Sequence, residues 1–340
     1  MPVNARQIVL ARRPKGPPHL DDFALRDAAL DAPRADEVLV RNLWLSLDPY
    51  MRLSMSDQGG LHGTVPLGAP LPGGALGEVI ASASADLPVG SLVLSMAHGW
   101  RDHYLAPALQ LQPLSPAAWP IQRSLGLYGL TGITAWGGIH GVLKPQPGET
   151  LFVGAAAGAV GSVAVQLAKR AGARVIACAG SDEKCAWITC TLGADHAINY
   201  RRENLGARLD ALAPDGLAAA FDNVGGEQLE ILIDAMAPHG RIALCGAIAL
   251  YDGANYRAGP RNLFAAIEKH VSLTGFNAGF YFGEAPRIIA DLAAAEAEAE
   301  AEAEGALIHE ETIVNGLEAM PQGFIDLLAG ASRGKMLVRI

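Results

Sequence analysis

The sequence predicts an α/β protein in which a doubly wound parallel sheet is joined to a β-rich lobe. The chain has 340 residues, enough for about two domains, and 50% of them are hydrophobic. Up to about residue 120, short apolar segments are broken by proline and glycine, which is typical of a β-rich lobe. After residue 124, apolar strands alternate with helical patterns. This alternation favours parallel strands joined by crossover helices.

The predicted elements follow from the spacing of the hydrophobic residues. In the first lobe, Glu37–Arg41 and Ser91–Leu94 are predicted as strands. In the second half, Ala159–Ala171 is predicted as a helix with one apolar face, and Asp182–Leu192 as a second helix. The strands of the second half are predicted at Leu151–Val153, Arg174–Ala177, His196–Ile198, Ala218–Asp222 and Arg241–Leu244.

Charge and cysteine usage argue against several classes of protein. Lys and Arg total 26 against 35 Asp and Glu, and a net charge of −9 does not suit a nucleic-acid binder, which needs a basic face. The four cysteines include no Cys-x-x-Cys pair, so neither a disulfide framework nor a zinc ribbon is expected. Met1–Leu10 lacks the apolar core of a signal peptide, and the longest apolar stretch, Leu151–Val165, is too short to span a bilayer. We expect a soluble cytoplasmic protein that binds neither nucleic acid nor membranes.

A stretch of alternating Ala and Glu covers residues 293–304. Both residue types favour helix, but a period of two spreads the carboxylates around a helix of 3.6 residues per turn. We expect a solvated helix, and an acidic tract that binds a partner is the alternative.

Small residues after the first strand of the second half predict a dinucleotide site. Ala156, Gly158 and Gly161 occupy the three small positions of a dinucleotide fingerprint, between a strand and a helix. Gly158 would let the backbone approach a pyrophosphate at the helix N-terminus, and Gly161 would let the helix pack closely on the strand. Tight helix–sheet packing without a ligand is the alternative.

The end of the next strand favours NADP(H) over NAD(H). NAD enzymes usually carry Asp or Glu there, which accepts a hydrogen bond from the ribose 2′-hydroxyl. Here the strand ends in Ala179-Gly180-Ser181, and Lys184 follows in the next helix. Ser181 and Lys184 supply the donors and the positive charge that a 2′-phosphate needs. A solvated helix residue is the alternative for Lys184.

No metal site is predicted. The first lobe has no cysteine, so His62, His98 and His103 have no thiolate partners for a catalytic zinc. A site built from these three histidines is the alternative, and ordinary loop or surface positions account for them more simply.

Motifs spread over nearly the whole chain carry a family resemblance. In their order they resemble the zinc-independent medium-chain dehydrogenase/reductase superfamily, closest to its NADP-dependent alkenal, prostaglandin (leukotriene B4 dehydrogenase-like) and curcumin reductases. The motifs are Leu45–Arg52 with Met55-Ser56-Asp57, Gly132–Trp136, Ala155–Ser162, Ala179–Lys184, Asn199-Tyr200, Phe221–Gly226, Cys245–Ile248, Gly259–Leu263 and Met320-Pro321.

The resemblance implies an activity and a set of site residues. Relatives use NADPH to reduce a carbon–carbon double bond conjugated to a carbonyl, with hydride passing from the nicotinamide to the β-carbon. Tyr50 matches a tyrosine at the mouth of the substrate pocket and Tyr251 one beside the nicotinamide, and both are candidate catalytic residues. Core packing is the alternative for each tyrosine. The implied cofactor contacts are Gly158, Ala159, Val160, Gly161, Ser181, Lys184, Tyr200, Asn223, Cys245, Gly246, Ile248, Tyr251, Phe276 and Ser332.

The resemblance also implies a domain division. Residues 1–124 and 306–340 would form a GroES-like substrate domain, and residues 125–305 a Rossmann domain that binds NADP(H). The cleft between them would take a small unsaturated carbonyl compound, with the loop from Tyr251 to Asn262 as one wall. Relatives are often homodimers, which we adopt as an expectation. A quinone reductase on the same fold, a non-catalytic NADPH-binding protein and a zinc alcohol dehydrogenase are the alternatives.

Overall fold

The structure is a computed structural model that describes residues 3–60, 63–114, 119–252, 259–300 and 307–340, with the backbone alone for residues 298–300. The described residues form fifteen strands: β1 Val3–Leu10, β2 Phe23–Leu30, β3 Glu37–Ser46, β4 Ala75–Ser82, β5 Leu92–Ser95, β6 His103–Pro107, β7 Gln112–Leu114, β8 Thr150–Val153, β9 Arg174–Ala179, β10 His196–Asn199, β11 Leu217–Asp222, β12 Met236–Leu244, β13 Ser272–Gly275, β14 Glu311–Asn315 and β15 Lys335–Arg339. The α-helices are α1 Met51–Ser54, α2 Leu130–Trp136, α3 Ala159–Arg170, α4 Asp182–Cys190, α5 Leu205–Leu212, α6 Gly226–Ala235, α7 Leu263–Glu268, α8 Ala285–Glu300 and α9 Met320–Leu328. Short 3-10 turns lie at Leu20–Asp22, Ala108–Gln110, Ile121–Leu125, Ile248–Leu250, Ala278–Glu284 and Leu317–Ala319, and a π-helical segment, Gly137–Leu143, extends α2.

A six-stranded parallel sheet forms the second half of the molecule. Its strand order is β10-β9-β8-β11-β12-β13, and every neighbouring pair is parallel. The chain runs outward from β8 to β10 on one side and from β11 to β13 on the other. The order therefore reverses between β8 and β11, which is where doubly wound sheets bind their ligands. The α/β fold class that the sequence predicts is confirmed.

The β-rich lobe is a second sheet built from both ends of the chain. Its strand order is β14-β15-β3-β4-β5-β7, with β6 also paired to β3 and the β1–β2 hairpin alongside. The C-terminal strand β15 pairs antiparallel with β3, where Leu337 is opposite Ser46. The last residues of the chain thus lie next to the segment that leads to Tyr50. The exact domain boundaries stay a prediction, and the boundary at 305 and 306 lies outside the described residues.

The predicted strands and helices of the second half all form, with some differences in length. β12 begins at Met236, five residues before the predicted start, because Met236 pairs with Leu217 ahead of a register shift. In the first lobe β3 extends to Ser46, since β15, β4 and β6 all pair along it. No helix among the described residues is both long enough and apolar enough to cross a membrane.

The start of the Ala/Glu stretch is less solvated than the sequence predicts. The stretch continues α8 to Glu300, so the helix itself forms. Ala295 is buried in the core of the parallel-sheet half, and the Glu296 carboxylate accepts hydrogen bonds from Arg123 and Tyr128. This carboxylate ties α8 to the segment that enters α2. Residues 301–304 lie outside the described residues.

Helix α3 packs directly on the turn that follows β8. A Cβ atom on Gly161 would lie 2.4 Å from the Ala155 carbonyl oxygen and 2.8 Å from the Ala156 Cα. Both atoms belong to the backbone and cannot move aside as a flexible side chain can. Gly161 therefore has the packing role that the fingerprint predicts.

We expect Gly161→Ala to lower the free energy of unfolding by about 1–3 kcal/mol, because the added methyl group overpacks against fixed backbone. Gly206→Ala in α5 is the matched control, since its Cβ would meet its nearest neighbour at 3.5 Å. The control should be neutral or gain up to about 1 kcal/mol from helix propensity. Urea denaturation measures both, and equal unfolding free energies for the two variants would contradict the packing role.

Candidate active site

Four loops meet at the carboxyl edge of the parallel sheet. They follow β8, β9, β11 and β12, and they carry almost all the residues that the sequence predicts for the cofactor. Because the carboxyl ends of parallel strands share one edge, residues 155–161, 180–184, 223–226 and 245–251 come together there.

The turn after β8 exposes the N-terminus of α3. Ala155 has a φ of 49°, and Gly158 then stands as the N-cap residue of α3. Gly158, Ala159 and Val160 are half-buried, so this turn faces open space. The first N–H groups of a helix have no intrahelical acceptor and carry the positive end of the helix dipole. This turn can therefore hold an anion such as a phosphate.

A cluster of positive side chains lies at the end of β9. Ser181 caps α4 by accepting a hydrogen bond from the Lys184 N–H at 3.2 Å. The Lys184 ammonium donates to the carbonyl oxygens of Gly330 and Ser332, at 2.6 Å each. Burial, and next the nearby Arg201, lower the pKa of Lys184. Ser332 is buried beneath this contact, so it lies next to the cluster through its backbone.

Tyr200 and Arg201 close the cluster from the side of β10. The Arg201 guanidinium lies 6.0 Å from the centre of the half-exposed Tyr200 ring and donates to the Ala329 carbonyl at 3.2 Å. A Cβ on Gly180 would lie 2.9 Å from the Tyr200 hydroxyl and 3.2 Å from Arg201 Nε. Arg201 was not among the residues predicted from the sequence. Its position directly after Tyr200, at the end of a strand that neighbours β9, was the available signal.

Asp222 fixes the loop after β11. It is fully buried and accepts hydrogen bonds from the N–H groups of Val224 at 2.9 Å and Gly225 at 3.1 Å and from the Gln228 amide at 3.0 Å. Burial raises the pKa of this carboxyl group. These contacts hold the loop in place. Its Asn223 side-chain amide donates a hydrogen bond to the Gly154 carbonyl at 2.9 Å, beside the end of β8.

The loop after β12 packs against the Asp222 loop. The N–H groups of Cys245 and Gly246 donate to the Asp222 carbonyl at 2.9 and 3.3 Å, and Ile248 donates to the Asn223 carbonyl at 3.4 Å. The Tyr251 hydroxyl turns back and accepts a hydrogen bond from the Ala247 N–H at 3.3 Å. Burial raises the pKa of the Cys245 thiol to about 12, so it stays protonated at neutral pH.

Phe276 lies at the end of β13, but its ring points into the core. The ring is buried and lies 5.9 Å from that of Phe221, edge to face. Its backbone N–H donates to Leu244 at 3.3 Å. Any contact of Phe276 with a ligand at this edge would be made by its backbone.

A buried ion pair lies in the β-rich lobe, next to the segment that leads to Tyr50. The Lys335 ammonium donates to the carbonyls of Leu47 at 2.8 Å and Met336 at 3.0 Å and to the Asp48 carboxylate at 3.1 Å. Tyr50 follows Asp48 at the start of α1 and packs on the core of the β-rich lobe. Burial, with a smaller effect of Asp48, raises the pKa of Tyr50.

Gly334 and Arg52 make further contacts between the β-rich side and the parallel-sheet half. The Gly334 N–H donates to the Ala157 carbonyl at 2.8 Å, next to the α3 N-terminus. Arg52 Nε donates to Asp252 Oδ1 at 2.9 Å. Tyr50 lies two residues before Arg52, and Tyr251 lies directly before Asp252, so both tyrosines adjoin this ion pair. Within the predicted loop wall from Tyr251 to Asn262, residues 253–258 lie outside the described residues.

The histidines considered for a metal are engaged elsewhere. His98 Nδ1 lies 2.7 Å from the Ser95 hydroxyl, and its ring stacks on Tyr104 at 4.1 Å. His103 Nδ1 lies 2.9 Å from the Asp102 carboxylate. His62 lies outside the described residues, and the part of the chain that is described holds no group of three metal-ligating side chains.

Comparison with known proteins gives the family. A family model for the N-terminal domain of oxidoreductase matches residues 6–114, and one for zinc-binding dehydrogenase matches residues 159–294. The chain is 33% identical over 344 residues to the NADP(+)-dependent 2-alkenal reductase of Nicotiana tabacum, covering 99% of this chain and 98% of that protein. It is also 33% identical over 339 residues to the NADPH-dependent curcumin reductase of Escherichia coli, covering 98% and 96% of the two chains.

Among solved structures, that of CurA from Vibrio vulnificus in complex with NADPH matches with a TM-score of 0.91 and 34% identity over 98% of both chains. The fold and the similarity to these relatives define a medium-chain dehydrogenase/reductase. The chain belongs to the family within that superfamily that includes these alkenal and curcumin reductases.

We expect Lys335→Met to lower the free energy of unfolding by about 3–5 kcal/mol, because it leaves the buried Asp48 carboxylate without its cation. Lys169→Met is the control, since Lys169 pairs with Asp195 at 2.8 Å on the surface. That variant should lose at most about 1 kcal/mol. Chemical denaturation measures the unfolding free energy of both variants. Comparable losses would show that the buried pair stabilises the fold no more than the surface pair does.

Proposed function

We propose that this chain is an NADPH-dependent reductase of carbon–carbon double bonds conjugated to a carbonyl. The observation that carries the proposal is the contact of Arg52 with Asp252 at 2.9 Å, which brings the segments of Tyr50 and Tyr251 together from the two halves of the molecule. Full-length similarity to relatives named for alkenal and curcumin reduction supports it.

The carboxyl edge of the parallel sheet fits NADPH. The turn at Gly158 would hold the pyrophosphate on the first N–H groups of α3. Ser181, Lys184, Tyr200 and Arg201 would hold the 2′-phosphate, which needs donors and positive charge. Residues after β11 and β12 would line the nicotinamide side: Asn223, Cys245, Gly246, Ile248 and Tyr251.

The protein's own residues would stabilise charge on the substrate. NADPH, when bound, supplies the hydride for the β-carbon of the unsaturated carbonyl. Negative charge then develops on the substrate carbonyl oxygen, where a fixed O–H donor is most effective. The raised pKa values of Tyr50 and Tyr251 keep both hydroxyls protonated at neutral pH, so both can donate there.

We further propose that the enzyme works without zinc and in the cytoplasm. Residues 1–124 and 306–340 would form the substrate domain, and residues 125–305 the cofactor domain. The engaged histidines support the first point, and four free cysteines suit a reducing compartment. Stoichiometric zinc in the purified, active protein would refute the zinc-free proposal.

A homodimer is proposed on the edge strand β13. Large apolar side chains are exposed on α7 beside it and on the turn after it, with Phe264 at 68%, Ile267 at 69% and Phe280 at 76%. An exposed strand edge bordered by apolar residues is a pairing surface for a second copy. Light scattering that gives the mass of a single chain would refute the dimer.

NADPH oxidation followed at 340 nm tests the reaction itself. The substrates are a 2-alkenal, a cyclic enone, curcumin and a benzoquinone, each repeated with NADH. We expect turnover of the conjugated carbonyl compounds with NADPH preferred. Turnover of the quinone alone would replace this proposal with quinone reduction, and NADPH binding without any turnover would indicate a binding protein.

We expect Lys184→Ala to raise the KM for NADPH on the order of tenfold, the loss of about one charge-assisted contact. Arg201→Ala should act in the same direction, and the KM for NADH should change in neither variant. Lys169→Ala, on the surface of α3, is the control. An unchanged ratio of NADPH to NADH preference would remove Lys184 from the 2′-phosphate site.

We expect Tyr50→Phe to lower kcat for an enone on the order of tenfold, because one hydrogen bond to the developing oxyanion is lost. The dissociation constant for NADPH, measured by calorimetry, should not change. Kinetics equal to those of the unmodified enzyme would leave Tyr50 with a packing role alone.

A further inference from the structure

The pair of Arg52 and Asp252 joins two segments that lie 200 positions apart in the chain. Arg52 belongs to α1, which follows Tyr50, and Asp252 follows Tyr251 directly. We propose that this pair is a latch across the cleft, which positions the Tyr251 loop against α1 for substrate binding. The proposal deepens the proposed function and rests on it for its kinetic readout.

Burial makes this contact different from an ordinary surface ion pair. The Arg52 side chain is 3% exposed, and that of Asp252 is 36% exposed. An exposed pair is weakened by solvent, but a guanidinium removed from water depends on the partners it has. Arg52 has few hydrogen-bond partners besides Asp252. Its Nη2 donates to the Gly16 carbonyl at 2.7 Å, and its Nη1 is buried without an acceptor. Loss of Asp252 would leave the buried cation with a single carbonyl.

The two ends of the latch are anchored differently. On the α1 side, Met51 is fully buried and accepts a hydrogen bond at its sulfur from the Trp100 indole at 3.4 Å, so α1 is fixed to the core of the lobe. On the other side, the loop is half-buried and attached to the parallel sheet by backbone contacts, such as the Ala249 N–H to the Val224 carbonyl at 3.1 Å. Asp252 therefore ties the less buried segment to the rigid one.

The latch acts on the substrate side of the cleft. The positive cluster at Lys184 and Arg201 contacts residues 329–332 and has no contact with Arg52 or Asp252 among the described residues. A change at Asp252 should therefore alter the binding of the substrate and leave the binding of NADPH as it is.

Hydrogen exchange tests the latch without any catalysis. Asp252→Ala in the full chain should speed amide exchange in peptides covering 246–252 and 50–54 by about tenfold, the loss of one charge-assisted contact. Asp252→Asn keeps an acceptor without the charge, so its exchange rates should lie between those of the unmodified protein and those of Asp252→Ala. Glu78→Gln is the matched control, because Glu78 is 34% exposed and pairs with Arg41 at 2.8 Å. Unchanged exchange in Asp252→Ala would overturn the proposal.

Kinetics then separate positioning from general stability. We expect Asp252→Ala to raise the KM for an enone about tenfold, while the NADPH dissociation constant stays within about twofold. Arg52→Lys keeps the charge but loses the planar fork, so it should raise the KM in the same way. Weakened NADPH binding, or faster exchange throughout the chain, would assign Asp252 a general structural role and overturn the latch. If the unmodified protein reduces no enone but exchange behaves as expected, the latch holds and the proposed reaction fails.

Discussion

The buried ammonium of Lys335 is the constraint on which the geometry of the cleft depends. Its three N–H groups are met by two carbonyl oxygens and the Asp48 carboxylate, all in the interior. A buried cation that loses a partner is strongly destabilising, so β15 and the end of β3 are held at a fixed separation. Because Tyr50 follows Asp48 by two residues, the position of its ring is set by the far end of the chain.

The residue before Lys335 extends this constraint to the parallel sheet. Gly334 has a φ of 65°, and a Cβ there would lie 2.0 Å from the Glu310 carbonyl oxygen, so no larger residue fits. Its N–H donates to Ala157 in the turn before α3. Two consecutive residues thus determine how far the α3 N-terminus lies from the segment of Tyr50. Hydride transfer would need a fixed distance of this kind, because the hydride donor and the substrate oxygen have to be held relative to each other.

The sequence predicts those parts of the molecule that depend on local spacing. The alternation of strands and helices and the two small residues at Gly158 and Gly161 are local patterns, and the structure has each of them. The pairs Asp48–Lys335 and Arg52–Asp252 join residues 287 and 200 positions apart. No periodicity links such residues, since only the pairing of β15 with β3 and the packing of the two halves bring them together. Arg201 lies between these two cases. Its neighbour Tyr200 is predicted from the sequence, but the position of Arg201 beside Gly180 is visible only in the structure.

Selectivity for a phosphorylated cofactor would come from repulsion as well as from attraction. Among the described residues, neither Lys184 nor Arg201 is paired with a carboxylate, and both donate to backbone carbonyls. Burial, and next the proximity of Arg201, lower the pKa of Lys184, although the nearby Glu183 acts in the opposite direction. Net, the surroundings of Lys184 disfavour its charge. A phosphate dianion between them would reverse this effect, whereas a neutral ribose hydroxyl would leave it in place.

The carbonyls of Gly330 and Ser332 use two of the three ammonium N–H groups of Lys184, so one remains for the phosphate. The same two carbonyls belong to the segment that leads to Gly334 and Lys335, and the cofactor site and the substrate lobe therefore share one support.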